Sequence, residues 1–468
     1  MNKTFSSAQE AVADIAPFAS VAIAGFGVPH RWPSDLIRAL CDQGTQSLTI
    51  ICNVLGVGPL SPQILAENHQ IRHLIAAFST LAGVHSAAEE QIARGKMSFE
   101  LVPQGTLVER LRAAGAGLPA FYTPVGVGTP VAEGKEARTF KGRTYLLEKA
   151  LKPDYAFVRA QMADTLGNAA FFGGSQNFGP SFAKAARITI VEADTIVAAG
   201  EIPPDRVDLP GIFVDRVVAS HVGLAITPEM VAQMTIGKEN RPTDQPRTYL
   251  GKPALTREMM AFKAAQLLKD GTYVNLGIGI PTLVSDFLFD RDIILHAENG
   301  ILGYGPIQAM ETADPDLYNA GGQLVSLQPG ASFFDSVAAF EMARGGHVQT
   351  VLLGGFQVDA EGNLANWTMP EMAGGGVGGA MDLVAGGSEI LVIMEHTDKN
   401  GQPKLLRRCT YPLTGQRCVQ TVVTDLAVVR IDPAGMLVEE IAPGFSVEEI
   451  QSLTEAPLRV SDHVRPMF

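Results

Sequence analysis

A repeat limits the folds open to this chain. An apolar strand-like run ending in Gly-x-Gly-x-Pro occurs twice, as VAIAGFGVP at 21–29 and YVNLGIGIP at 273–281. Each continues into an amphipathic helix-like segment, near Ser34–Leu40 and near Ser285–Phe289. Further on, Asp164-x-x-Gly167-Asn168-x-Ala170 is matched by Asp359-x-x-Gly362-Asn363-x-Ala365, and RITIVE at 187–192 by EILVIME at 389–395. Three similar blocks in one order imply two copies of one folding unit. Between them, 235–254 is polar, charged and broken by Pro242, Pro246 and Pro253, which reads as a linker. The expected organisation is a domain over 1–234, a linker over 235–254 and a second domain over 255–468.

Within each copy, short runs of Val, Ile and Leu alternate with helical patterns such as EEQIARGKM at 89–97 and TREMMAFKAAQLLKD at 256–270. Strands without polar alternation, interleaved with helices, argue for sheets covered on both faces. The fold class is therefore α/β, with two similar open, mainly parallel-sheet domains. Such sheets bind ligands beyond the carboxyl ends of their strands. That makes the turns holding Gly27, Gly277 and Gly279 candidate site loops.

Composition narrows the function. With 36 basic and 49 acidic residues the net charge is −13, against general binding to nucleic acid or anionic membrane. Four cysteines, Cys41, Cys52, Cys409 and Cys418, show no CxxC spacing, and the nine histidines no HExxH, so neither a metal nor a disulfide framework is expected. The amino-terminal segment has one Lys followed by Glu10 and Asp14, unlike a signal or transit peptide. Its apolar run, 15–29, is too short and too broken to span a bilayer. A soluble cytoplasmic protein is expected.

Three clusters could carry chemistry. In IILHAENGILGYGP at 293–306 a strand-like run leads into His296, Glu298 and Asn299 before a glycine-rich turn. A carboxylate held at such a strand end can be desolvated into a nucleophile, although Glu298 capping a plain turn is the simpler alternative. In GGGVGGAMDLV at 374–384, glycines precede a helix-like segment, so their N–H groups could approach an oxyanion closely, or could only make a flexible loop. In PQGTLVERLRAAGAGLPAFYTPVGVGT at 103–129, Gln104 is a neutral donor and acceptor, or simply a turn residue. No P-loop, GxSxG elbow or complete GxGxxG fingerprint is present.

Together these clusters resemble the class I coenzyme A transferases of the succinyl-CoA:3-oxoacid type. The family's Ser-Glu-Asn-Gly element is Ala297-Glu298-Asn299-Gly300 here, and GNLANW at 362–367, GGAMDLV at 378–384, MEHT at 394–397 and PLTG at 412–415 are similar. So is ELVPQGTLVERLRAAGAGLPAFYTP at 100–124. The resemblance spans nearly the whole chain and implies α-type and β-type subunits fused in that order. It implies that Glu298 attacks acyl-CoA and then carries CoA as a thioester in a ping-pong cycle. It also implies that Asn53, Gln104, Gly378 and Gly379 stabilise the oxyanion. Asn299 and the glycine turns join as substrate-binding groups. Coenzyme A is a substrate and no cofactor is expected. Partners are acyl-CoA and small carboxylic acids, with a homodimer or other homo-oligomer and a place in ketone-body metabolism expected by resemblance.

Two departures concern the acyl side. The first turn reads Ala24-Gly25-Phe26-Gly27-Val28-Pro29-His30-Arg31-Trp32-Pro33, and Val54 stands where a second amide after Asn53 is expected. Arg31 would then suit the distal carboxylate of a dicarboxylic acid. A solvated His30-Arg31 pair is the alternative. Two other functions stay open on the same fold: an acyl-CoA hydrolase and a non-catalytic effector-binding module.

Overall fold

The computed structural model describes residues 2–26, 32–79, 86–223, 245–370 and 372–468. Its two large sheets correspond to the two copies. The first, of eight strands, has the spatial order 216–219, 188–197, 155–164, 20–23, 48–52, 71–76 and 98–101, all parallel, with the short Ala169–Ala170 strand folded back on 155–164. The second, of ten strands, has a parallel centre in the order 293–297, 272–276, 350–354, 389–393 and 419–423, flanked on both sides by antiparallel strands. In both sheets the strand before Gly-x-Gly-x-Pro is central; Asp164 ends the strand beside it in the first copy, whereas Asp359 ends the short strand Gln357–Asp359 of a separate three-stranded sheet.

The shared Asp-x-x-Gly-Asn block proves to be one turn built twice. Asp164 Oδ1 accepts from the N–H groups of Leu166 and Asn168, and Oδ2 accepts from the Asn168 amide. Asp359 repeats this with Glu361, Asn363 and the Asn363 amide. Gly167 and Gly362 sit at φ +89° and +80°, where a side chain would be strained.

The copies part after their second strand. Beyond Leu48–Cys52 the chain crosses over through the helix Gln63–Glu67 and returns parallel as Ile71–Ala76. Beyond Ile293–Ala297 it turns at once through Glu298-Asn299-Gly300 into the antiparallel strand Ile301–Ile307. Gly300 permits that turn: its φ is +114°, and a Cβ there would meet the Phe334 carbonyl oxygen at 2.0 Å.

The helix Ser34–Gln43 follows the first glycine turn as its pattern predicts. Its counterpart, Ile280–Phe287, is a 3₁₀ helix that opens on Pro281 and carries β-branched Thr282 and Val284, residues that gain less from the α-helical form. Within the expected linker, residues 248–253 form a small hairpin. Arg247 donates to the carbonyls of Thr397 and Asp398, and the Tyr249 hydroxyl to Asp425. One apolar core runs through both halves, joining Leu107, Leu111, Phe178 and Phe182 to Phe340 and Val351.

Candidate active site

Glu298 is the first residue past the strand Ile293–Ala297 and is 7% exposed. Its Oε2 accepts from Asn275 Nδ2 at 3.1 Å. Asn275 stands one residue before the end of the neighbouring strand and also donates to the His296 carbonyl at 3.1 Å. His296 Nε2 faces the Ala339 carbonyl at 3.2 Å, so that nitrogen carries the proton and Nδ1 accepts from Asn275. Burial drives His296 down to about 4, so it is neutral at pH 7. Among the described residues no cation pairs with Glu298. Burial pushes its carboxyl above the usual range, opposed by the Asn275 hydrogen bond and its own backbone N–H. A carboxylate with little water and one neutral side-chain donor is poised to act as a nucleophile.

The second group lies across the seam between the halves. Gln104 Nε2 donates to Asn53 Oδ1 at 2.8 Å, both residues being buried. The Gln104 N–H donates to the Gly378 carbonyl at 2.9 Å. Gln104 Oε1 has no hydrogen-bond partner. Turning both amides over preserves the Asn53–Gln104 bond and presents a free N–H donor instead, so this pair can serve either polarity of ligand. A Cβ at Gly379 would lie 3.1 Å from Gln104 Oε1 and 3.2 Å from the Phe340 ring. Phe340 follows Ala339, the partner of His296, so the helix Ser336–Arg344 stands between the two groups.

The glycine pair divides its tasks. The Gly378 N–H donates to the Ala77 carbonyl at 3.3 Å, alongside Val377 at 3.0 Å. That amide, expected as an oxyanion donor, here docks the loop on the first half. Its φ of +51° and the Phe78 ring, 2.6 Å from a would-be Cβ, explain the glycine. No carbonyl among the described residues accepts from the Gly379 N–H.

The docking is reciprocal. The second half's glycine loop meets Ala77–Ser79, whose first two N–H groups donate to the Asn53 carbonyl. The first half's loop does the converse: the Gly174 N–H donates to the Asp316 carbonyl, the Tyr318 hydroxyl donates to the Gly174 carbonyl, and a Cβ at Gly174 would lie 2.9 Å from Asn299 Nδ2. Asn299 donates to the Tyr318 carbonyl at 2.9 Å and leaves Oδ1 without a partner.

Gly277 donates to the Leu352 carbonyl at 2.7 Å, with no room for a side chain, while Gly279, at φ +93°, makes an open turn. Gly27, His30 and Arg31 lie outside the described residues. Val54 is buried in the apolar layer with Trp32 and Leu55. Asn275 escapes the sequence reading, although a polar residue in the run YVNL, where the other copy reads VAIA, is the signal that marks it. Among the described residues no group of three or more His, Cys, Asp or Glu is placed to hold a metal ion.

Glu298 stands at a strand end of the second half, and at the seam the first half's Asn53–Gln104 amide pair meets the second half's glycine loop. The Coenzyme A transferase family model matches residues 5–239 and 257–453. The chain belongs to the coenzyme A transferase family. The mitochondrial succinyl-CoA:3-ketoacid coenzyme A transferase 2A of Rattus norvegicus is 38% identical over 99% of this chain and 91% of its own length. The beta chain of the acetate CoA-transferase of Escherichia coli K12 is 48% identical over 44% of this chain and 94% of its own length. An acyl-CoA transferase from Escherichia coli O157:H7 has the same fold, with a TM-score of 0.80 over 100% of this chain and 95% of that one at 22% identity. A thioester complex of that protein with CoA gives 0.79. The enzyme is thus a CoA-transferase with α-type and β-type units fused. The cytoplasmic expectation is overturned: the succinyl-CoA:3-ketoacid transferases that match nearly the whole chain are mitochondrial. No described helix is long and apolar enough to cross a membrane. The expectation rested on the make-up of the amino-terminal segment, which fixes no address for the folded enzyme.

Proposed function

We propose that this transferase moves CoA from a succinyl-CoA-like donor to a 3-oxoacid-like acceptor through a thioester on Glu298. The burial of Glu298 beside a single neutral side-chain donor, Asn275, carries the reading. A Glu298 oxygen attacks the acyl-CoA carbonyl carbon, and the CoA thiolate leaves, giving a mixed anhydride. The thiolate then attacks the Glu298 carbonyl carbon and expels the first acid as its carboxylate. The second acid's carboxylate attacks the resulting thioester, and the same steps in reverse return CoA to it. Each addition builds an oxyanion, for which the Gly379 N–H and the Asn53–Gln104 amides are the donors we assign. The identity over 99% of the chain supports the substrate class. Coenzyme A enters as substrate, with no other cofactor.

The test is a mass measurement. Incubation with succinyl-CoA alone should add one CoA less one water to the intact protein, on the peptide holding Glu298, and hydroxylamine should remove it. An enzyme that turns over with no such adduct would refute the covalent route. Steady release of free CoA without an acceptor acid would identify a hydrolase instead.

A further inference from the structure

The helix Gln104–Gly115, which presents Gln104, starts without a cap of its own. It is preceded by Pro103, no side chain of its own caps it, and its first turn carries no acid. The matching helix in the second half, Ser336–Arg344, is capped by its own Asp335, which accepts from the Ala338 N–H. Otherwise the two begin alike: the Gln104 N–H donates to the Gly378 carbonyl and the Ser336 N–H to the Asn177 carbonyl, both at 2.9 Å and both across the seam.

The missing cap is supplied by Asp382, from the opposite half. Its Oδ2 accepts from the Gly105 N–H at 2.9 Å, and its Oδ1 lies 3.5 Å from Thr106 Oγ1 and 3.3 Å from Arg344 Nη1. Arg344 also lies 3.6 Å from Glu109, on the helix being capped. A Cβ at position 105 would meet Asp382 Oδ1 at 2.4 Å, so this approach requires Gly105. Asp382 is fully buried and stands three residues past Gly379, in the helix Ala380–Ala385. A buried carboxylate is costly unless its hydrogen bonds are satisfied, and here they tie the start of one helix to the start of another.

We infer that Asp382 is a positioning residue for CoA transfer, fixing Gln104 against Gly379 across the seam by capping the Gln104 helix from the other half. The inference rests on the assignment of Gln104 and Gly379 as oxyanion donors. Asp382 itself touches no substrate. Its loss lets the helix start drift and opens the gap in which an oxyanion must be held, so the chemical step suffers rather than the binding of CoA.

A double-mutant cycle on the full chain tests this, using succinyl-CoA and acetoacetate. D382N keeps the shape and an acceptor oxygen but loses the charge that draws the Gly105 N–H and Arg344. It should lower kcat on the order of 10- to 100-fold, with the KM for succinyl-CoA within about twofold and the unfolding midpoint close to wild type. In a Q104A background, D382N should cost less than about a further twofold, because the residue it positions is gone. G105A, which pushes Asp382 away while keeping its charge, should show the same absorbed loss, and serves if D382N does not fold. Losses that simply multiply in the double variants would overturn the inference while leaving Gln104 in the site. A Q104A enzyme with undiminished kcat would remove the assignment of Gln104, and the inference with it.

Discussion

Each half of the transferase buries a glutamate near the carboxyl end of its sheet, and the two are treated oppositely. Glu192, in the first half, is fully enclosed and surrounded by donors. Its Oε2 accepts from the Asp35 and Leu36 N–H groups at the start of a helix, its Oε1 from the Ser220 hydroxyl, and Arg159 Nη1 lies 3.8 Å away. Glu298, in the second half, has one side-chain donor, Asn275, and a neutral histidine behind it. Every donor on Glu192 lowers the electron density it could offer a carbonyl, and its oxygens are occupied. Burial alone therefore does not make a nucleophile: burial with the fewest partners does.

The largest effect should come from removing that contrast at its active end. E298Q keeps the hydrogen bond from Asn275 possible and the volume constant but removes the nucleophile. Transfer should fall on the order of 10⁴-fold or more, as for other residues that form the covalent intermediate. The double variant N53E/E298Q, which puts a carboxylate past the equivalent strand of the first half, should not recover it. Asn53 is followed by a crossover rather than a tight hairpin, and no counterpart of Asn275 stands beside it. Recovery within about tenfold of wild type would show that any buried carboxylate at this seam suffices.

The seam itself gives the next effect. A side chain at Gly379 would press on both Gln104 and the Phe340 ring. G379V should therefore lower kcat on the order of tenfold or more through the displaced amide. Initial-rate plots should stay parallel, since the order of steps is unchanged. A kcat equal to wild type would take this amide out of the oxyanion role. G378V makes a useful contrast. Its strain at φ +51° against Phe78 should appear as lost stability, because that amide already serves Ala77.

Much of this was legible in the chain. The repeat, the strand-end glutamate and the glycine loop are local patterns, and local patterns survive in sequence. The Asp-x-x-Gly-Asn blocks were visible as a repeat, but their use as a hydrogen-bonded turn depends on which amides the carboxylate reaches. Asn275, Asp382 and Gly105 were harder because their meaning lies in partners 23, 277 and 277 positions away. Gly378 and Gly379 are adjacent and alike in sequence, and only the position of Ala77 separates a docking amide from a free one.

The smallest effect tests the other side of the comparison. Burial pushes Glu192 up to about 7, against the helix-start N–H groups, Ser220 and Arg159, which favour its ionised form, while Asp35 adds to the rise. The folded chain thus holds this proton more tightly than the unfolded chain does, across the window from about 4.5 to about 7. The stability it confers is fully present below that window and is lost as pH rises through about 7. E192Q keeps the shape, can still accept from Asp35 and Leu36, and leaves Arg159 paired with Asp194 at 2.8 Å. Its kcat should stay within about twofold of wild type, since Glu192 is no part of the proposed chemistry. The unfolding free energy of E192Q minus that of wild type should rise with pH between about 5 and 8, by on the order of 1–2 kcal/mol. Titrations that cancel in the difference, such as that of His296, do not enter. A difference that is flat across those pH values would mean that Glu192 stays ionised in the fold. The two buried glutamates would then differ in their partners but not in the tension that burial places on each.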